Sequence, residues 1–465
     1  MSDRIELKRA KKLKGEIIPP PDKSISHRAI ILSSISKGRS TVKNVLRAED
    51  TMSTMNAMKM LGVDIEQQSS RAAEQQSKGK DTTALLGYCS TALVIHGKGI
   101  HGLKEPEDII DCGNSGTTIR LLSGILSGNP FLSILTGDSS LRSRPMGRVI
   151  KPLREMGAEI TARAGDTYPP IVIRGKQLNP IKYNMPIASA QVKSAILLAG
   201  LYADGETEII EPLKSRDHTE RMLPSYGAEI KVDGLTIRVQ GFSPQASRRG
   251  DKGSRVQGLS PIDIIVPGDF SSAAFFIVAA LLVSGSEILI KNVGINPTRT
   301  GLLDILKAMG AEIGLANSRD VSGEPVADIH CKSAAGLKAI KITKEQIPAL
   351  IDEFPILCIA AAQADGITTI RGAEELRVKE SDRIKAMAAG LRKMGAEVEE
   401  FKDGLSIKGN SRLKGAVIES YGDHRIAMAF SIAALVASGT TKINGISAVN
   451  ISFPGFYKML KGLTK

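Results

Sequence analysis

One pattern recurs six times along the chain and restricts its fold more than any other feature. Each copy opens with an apolar helical stretch that ends in a small residue and a glycine: Ser36-Lys37-Gly38, Ser127-Gly128, Ala203-Asp204-Gly205, Ser284-Gly285, Ala364-Asp365-Gly366 and Ser438-Gly439. Glycine stops a helix there because it enters the left-handed conformation at little cost. A strand-like segment follows each stop, as in Thr207-Glu208-Ile209-Ile210 and Glu287-Ile288-Leu289-Ile290. A polar loop and a second, amphipathic helix come next. In five copies that helix runs into glycine and another strand, as in Met156-Gly157-Ala158-Glu159-Ile160; the sixth breaks off at Met459-Leu460-Lys461-Gly462.

The glycines closing the second helices are 95, 70, 83 and 85 residues apart, too far and too uneven for a solenoid. Six α/β units in 465 residues exceed one ordinary core and predict two domains of three units each. The first helix of each unit is apolar on nearly every face, so it belongs inside, with strands around it. Two stretches break the pattern, Gln67 to Thr83 and Ser243 to Gly258, and read as surface insertions.

Composition narrows the function. No apolar run reaches the roughly 18 residues of a membrane helix, and the charged start of the chain lacks a signal-peptide core, so a cytoplasmic, membrane-free protein is expected. Cys89, Cys112, Cys331 and Cys358 are scattered without a C-x-x-C pair, which argues against a disulfide framework or a zinc site. The net charge of +13 fits anionic ligands. Aromatic content of 4% without Trp argues against a base-stacking surface for nucleic acid.

The starts of the six apolar helices carry the chemistry. They read Asp22-Lys23-Ser24-Ile25-Ser26-His27-Arg28, Gly113-Asn114-Ser115-Gly116-Thr117-Thr118-Ile119-Arg120, Ser189-Ala190-Gln191-Val192-Lys193, Gly268-Asp269-Phe270-Ser271-Ser272, Asp352-Glu353-Phe354-Pro355 and Gly422-Asp423-His424-Arg425. Capping explains the serines and aspartates. It does not explain Lys23, Arg28, Arg120, Lys193 and Arg425, since a cation opposes the helix dipole there at up to about 1 kcal/mol each. A bound anion reverses that sign, because free N–H groups at a helix start bind phosphate and carboxylate. Six such starts around one cleft would form a strongly positive site without metal. Polar loops add Arg142-Ser143-Arg144, Arg216-Asp217-His218-Thr219-Glu220 and Arg377-Val378-Lys379-Glu380-Ser381-Asp382-Arg383.

These motifs, in this order over essentially the whole chain, resemble the 5-enolpyruvylshikimate-3-phosphate synthases of the enolpyruvyl transferase family. The resemblance implies two inside-out α/β barrels, each of three βαβαββ repeats. Residues 21–260 would form the first domain, residues 1–20 and 261–465 the second, with the active site between. It implies transfer of the enolpyruvyl group of phosphoenolpyruvate to the 5-hydroxyl of shikimate 3-phosphate by a monomer, without cofactor or metal.

By position, Lys23, Ser24, Arg28, Ser189, Ala190, Gln191, Arg216, Asp352 and Lys379 would contact shikimate 3-phosphate. Lys23, Asn114, Gly116, Arg144, Gln191, Arg383 and Arg425 would contact phosphoenolpyruvate, with Arg120 and His424 as further candidates. Asp352, Glu380 and Lys23 would be catalytic, Asp352 as base toward the hydroxyl and Glu380 as acid toward the methylene carbon. An acid and a carboxylate of different pKa suit that chemistry. Ile451 and Glu375 depart from many relatives, which carry lysine and asparagine there. The runs at 189–193, 216–220 and Asn296-Pro297-Thr298-Arg299 match a subclass of the family. Two alternatives remain open: a relative acting on UDP-N-acetylglucosamine through a loop cysteine, and a basic binding protein without catalysis.

Overall fold

A computed structural model describes residues 3–68, 92–242 and 258–464. Apart from Gln67, Gln68 and Gly258, both expected insertions lie outside the described residues, as does Cys89.

The six apolar stretches are helices: Lys23–Ile35, Gly116–Ser127, Ala190–Gly200, Phe270–Leu282, Phe354–Gln363 and His424–Ala434. Five begin on a side-chain cap, in which Asp22, Ser115, Ser189, Asp269 or Asp423 accepts a backbone N–H of the first turn. Phe354–Gln363 lacks a side-chain cap and instead has Pro355 in its first turn, where the missing N–H costs nothing. Burial is almost complete: all eleven residues of His424–Ala434 and twelve of thirteen in Phe270–Leu282. Small residues let these helices touch. A Cβ added to Gly124 would lie 2.2 Å from the Ala195 carbonyl oxygen, so two backbones cross where no side chain fits.

Among the described residues the strands form five four-stranded sheets and one of three strands. Each four-stranded sheet has the same order. A short edge strand runs parallel to the strand after the buried helix, and two antiparallel strands complete it, as in Ile110–Asp111, Leu132–Thr136, Tyr168–Arg174 and Glu159–Ala162. Strand faces alternate between buried and exposed, so one side packs inward.

Distant segments complete three of the sheets. Ile264–Ile265 pairs in parallel with Lys37–Lys43. Lys14–Ile17 supplies the edge for Glu287–Gly294. Arg4–Lys8 pairs antiparallel with Thr440–Asn444, giving the truncated sixth unit its return strand.

Buried apolar residues fall into two clusters. One draws on residues 25–266, the other on Leu13, Ile17 and residues 270–463. Each fully buried Leu, Ile or Phe contributes about 1.5–3 kcal/mol.

Candidate active site

One cleft is lined from both clusters by Lys23, Ser24, Asp50, Gly116, Arg120, Arg144, Arg148, Ser189, Ala190, Gln191, Arg216, Asp352, Glu375, Lys379, Glu380 and Arg425, among others. Four of the six buried helices place residues of their first turns on it, and Asp352 lies two residues before a fifth, Phe354–Gln363. Phe270–Leu282 contributes none. Seven cations face four carboxylates, a surplus of three positive charges. Little water screening reaches such a site, so the surplus acts strongly on an anion.

Two carboxylates sit at the centre of the second cluster's wall. Arg383, only 1% exposed, bridges them: Nη2 lies 2.7 Å from Glu380 and Nη1 3.4 Å from Asp352, while Nε holds Asp423 at 2.8 Å. Asp352 also pairs with Arg216 and with Arg425, whose Nη2 is 3.4 Å away. Burial alone would raise the Asp352 carboxyl, but Arg216, Arg425 and Arg383 outweigh it and hold it well below the usual carboxylate range. Glu380 behaves alike: burial raises it, and Arg383 and Arg144 more than reverse that. The two acids are therefore both held ionised. The expected contrast between an acid and a base is not built into the protein groups themselves.

The opposite wall is cationic. Lys23 Nζ is 3.0 Å from Asp50. Arg120 donates to Gln191 Oε1 at 2.5 Å, and Gln191 Nε2 donates to Thr117 at 2.9 Å. Burial, with Arg144 and Arg148 nearby, lowers Arg120 to about 10, which leaves it charged at neutral pH. Arg144 donates to Asn114 through both terminal nitrogens, at 3.1 and 2.5 Å. Gly116 leaves the space beneath them: a Cβ there would sit 2.8 Å from Arg120 Nη1 and 3.4 Å from Arg144 Nη1.

Not every expected residue lines the cleft: Arg383 is buried behind Asp352 and Glu380 and lies outside the lining. Arg28 is buried behind it, donating to Thr219 and Ser194 at 2.7 Å each and to the Ser24 carbonyl at 3.0 Å. Asn114 supports Arg144 from outside the lining. His424 is buried with neither ring nitrogen hydrogen-bonded, and burial beside Lys23 and Arg425 pushes its pKa well down, so it is neutral. Lys193 spends its charge on Glu211 and Glu220, at 2.8 and 2.6 Å, instead of facing an anion. Ile451 is buried away from the lining.

Three charged lining residues were missed from the site expected on sequence. Asp50 looked like an ordinary acid in a helix's first turn. Arg148 follows Arg144 by four positions and could have been suspected from that spacing. Glu375 appeared only as a departure, yet it forms an ion pair with Arg148 across the cleft.

Cys112, Cys331 and Cys358 are buried, and burial pushes their thiols up, so no described cysteine offers the loop nucleophile of the alternative transferase. Asp64, Glu66 and His96 form the one potential metal-ligating trio among the described residues. Two of them are exposed and none lines the cleft.

A solved enolpyruvyl transferase, NikO from Streptomyces tendae, shares the fold at 16% identity, with a TM-score of 0.76 over 100% of this chain and 98% of that one. EPSP synthase from Acinetobacter baumannii superimposes with a TM-score of 0.81 at 44% identity, covering 99% and 98%. The 3-phosphoshikimate 1-carboxyvinyltransferases of Thermodesulfovibrio yellowstonii and Geotalea uraniireducens are 53% and 50% identical, over 99% and 98% of both chains. The family model for EPSP synthase (3-phosphoshikimate 1-carboxyvinyltransferase) matches residues 7–460, and the chain belongs to that family of transferases.

Proposed function

We propose that this chain transfers the carboxyvinyl group of phosphoenolpyruvate to the 5-hydroxyl of shikimate 3-phosphate and releases phosphate. One observation carries the chemistry: Asp352 and Glu380, bridged by Arg383, face a wall of Lys23, Arg120 and Arg144 across one cleft. Asp352 takes the hydroxyl proton as that oxygen bonds to the central carbon of phosphoenolpyruvate. Glu380 delivers a proton to the methylene carbon, giving a tetrahedral adduct. Loss of a methyl proton to Glu380 then expels phosphate, which departs with the proton Asp352 had taken, and restores the double bond.

Glu380 must be protonated for the first step. A phosphate or carboxylate docked on Arg144 and Arg383 offsets the cations that depress it and raises its pKa toward that role. Arginine forks suit both anions. Lys23, Ser24, Ser189, Ala190, Gln191, Arg216 and Lys379 are read as acceptor contacts, with Arg28 acting from behind Ser24. Lys23, Gly116, Gln191, Arg144, Arg383 and Arg425 are read as donor contacts, with Asn114 holding Arg144 and Arg120 beside it. Holding two polyanions in register supplies on the order of 7–11 kcal/mol of the barrier lowering.

The two apolar clusters support two domains, 21–260 and 1–20 with 261–465, where 261–266 returns to the first domain's sheet. Buried helices under outer sheets support an inside-out α/β barrel in each. A cytoplasmic monomer working without a cofactor fits this function, and no described helix is long and apolar enough to cross a membrane. The test is phosphate release from phosphoenolpyruvate and shikimate 3-phosphate, each also omitted in turn. Release without the acceptor, or none with both, sinks the proposal.

A further inference from the structure

The fourth buried helix start, at Phe270, is closed by the protein's own groups. Asp269 caps that helix, accepting from Ser272 N at 3.2 Å, and its second oxygen accepts from Lys23 N at 3.3 Å. One carboxylate thus serves helices from both apolar clusters. The two chain crossings pair beside it, with Asp22 N donating to Pro267 O and Asp269 N to Pro20 O, each at 2.7 Å.

Arg299 enters this junction. Its side chain is 3% exposed, with Nη2 lying 3.3 Å from Asp269 and 3.6 Å from Asp22 and donating to Ser271 Oγ at 2.8 Å. Nη1 donates to Ser24 Oγ at 3.4 Å. Its approach is fixed by a tight turn: Thr298 N donates to Asn296 Oδ1 at 2.9 Å and Arg299 N to Asn296 O at 2.8 Å. Asn296 also donates to Asp217 at 2.7 Å, next to Arg216. The Asn296–Arg299 motif therefore stands behind Ser24, and none of its residues lines the cleft.

A hydroxyl that accepts from a guanidinium keeps its own proton free to donate. Ser24 lines the cleft, and Arg299 occupies its acceptor side from behind. Lysine could not reproduce this, because a single ammonium lacks the rigid fork that reaches Ser24 and both aspartates together.

We propose that Arg299 is a positioning residue for the phosphorylated acceptor: held by Asp22 and Asp269, it aims the Ser24 hydroxyl proton into the cleft. This rests on Ser24 and Lys23 binding shikimate 3-phosphate, as proposed above.

Titration calorimetry with shikimate 3-phosphate on wild type, Arg299→Lys, Ser24→Ala and the double variant tests it. Loss of one hydrogen bond to a charged ligand predicts about three- to tenfold weaker binding in each single variant. The double variant should bind no more weakly than the weaker single one, because both changes remove the same interaction. Unchanged affinity in Arg299→Lys, or full additivity in the double variant, overturns the proposal, since general loosening of the junction would add to the loss of Ser24. Should Arg299→Lys not fold, Arg299→Gln takes its place with the same criteria. A wild type that does not bind shikimate 3-phosphate overturns the functional assignment as well, whereas normal binding with no effect at Arg299 removes only this role.

Discussion

Replacing Asp352 by asparagine isolates the step that most depends on this geometry. The change keeps the shape and an acceptor oxygen but removes the charge and the proton acceptor. A positioned general base contributes roughly 10²–10⁴-fold, so kcat should fall by about that factor. Binding should move the other way. Asp352 neutralises part of Arg216, Arg383 and Arg425, and its loss leaves these guanidiniums freer to attract anions. Substrate KM values should therefore stay level or drop.

The fold should survive, since Arg383 keeps Asp423 and Glu380 as partners; a cost of about 1–2 kcal/mol follows from one weakened charge-assisted contact. Steady-state phosphate release with each substrate varied, alongside denaturant unfolding, separates the terms. A variant with normal kcat and raised KM would refute the base assignment, because it would make Asp352 a binding group only.

Three further expectations concern the surroundings. Gly116→Ala should fold normally but raise KM for phosphoenolpyruvate about tenfold, because the new methyl displaces the Arg120 guanidinium 2.8 Å away; an unchanged KM would mean that this space is not used. Lys193→Met should cost about 3–5 kcal/mol in urea unfolding, since Glu211 and Glu220 would be left buried without their cation; a loss below 1 kcal/mol would show that the acids protonate at little cost. The Asp352 carboxyl is depressed in the folded state, so its stabilisation is complete above the unfolded value near 4 and fades as pH falls through the lower folded value. The stability gap between wild type and Asp352→Asn should accordingly shrink from pH 7 to pH 3; a constant gap would contradict the depressed pKa.

Much of this molecule is legible in one dimension, and the reasons differ by feature. Helices such as Phe270–Leu282 declare themselves because an apolar stretch with an aspartate cap and a closing glycine has few other uses. Most of the cleft is legible because cations at helix starts oppose the dipole and demand an anion. Lys193 shows the limit of that argument. Its anion turned out to be two buried glutamates, one of them on a strand-flanking position eighteen residues away, which periodicity does not reveal. Glu375 and Arg148 show another limit, since they meet across 227 residues of chain and neither is unusual in its own segment.

The amino-acid sequence by itself determined the six-unit plan, the buried helices and the sign of the site's charge, because each depends on local periodicity, capping and residue type. Tertiary structure alone decided which charges face the cleft. Arg299 and Arg425 both stand near helix starts, yet one is absorbed by Asp22 and Asp269 and the other reaches the cleft. Likewise Asp352 and Glu380, both ordinary carboxylates in one dimension, acquire their depressed pKa values only when Arg216, Arg425 and Arg383 converge on the first and Arg383 and Arg144 on the second. Electrostatic energy depends on distance and burial in space, and neither is written in the order of residues.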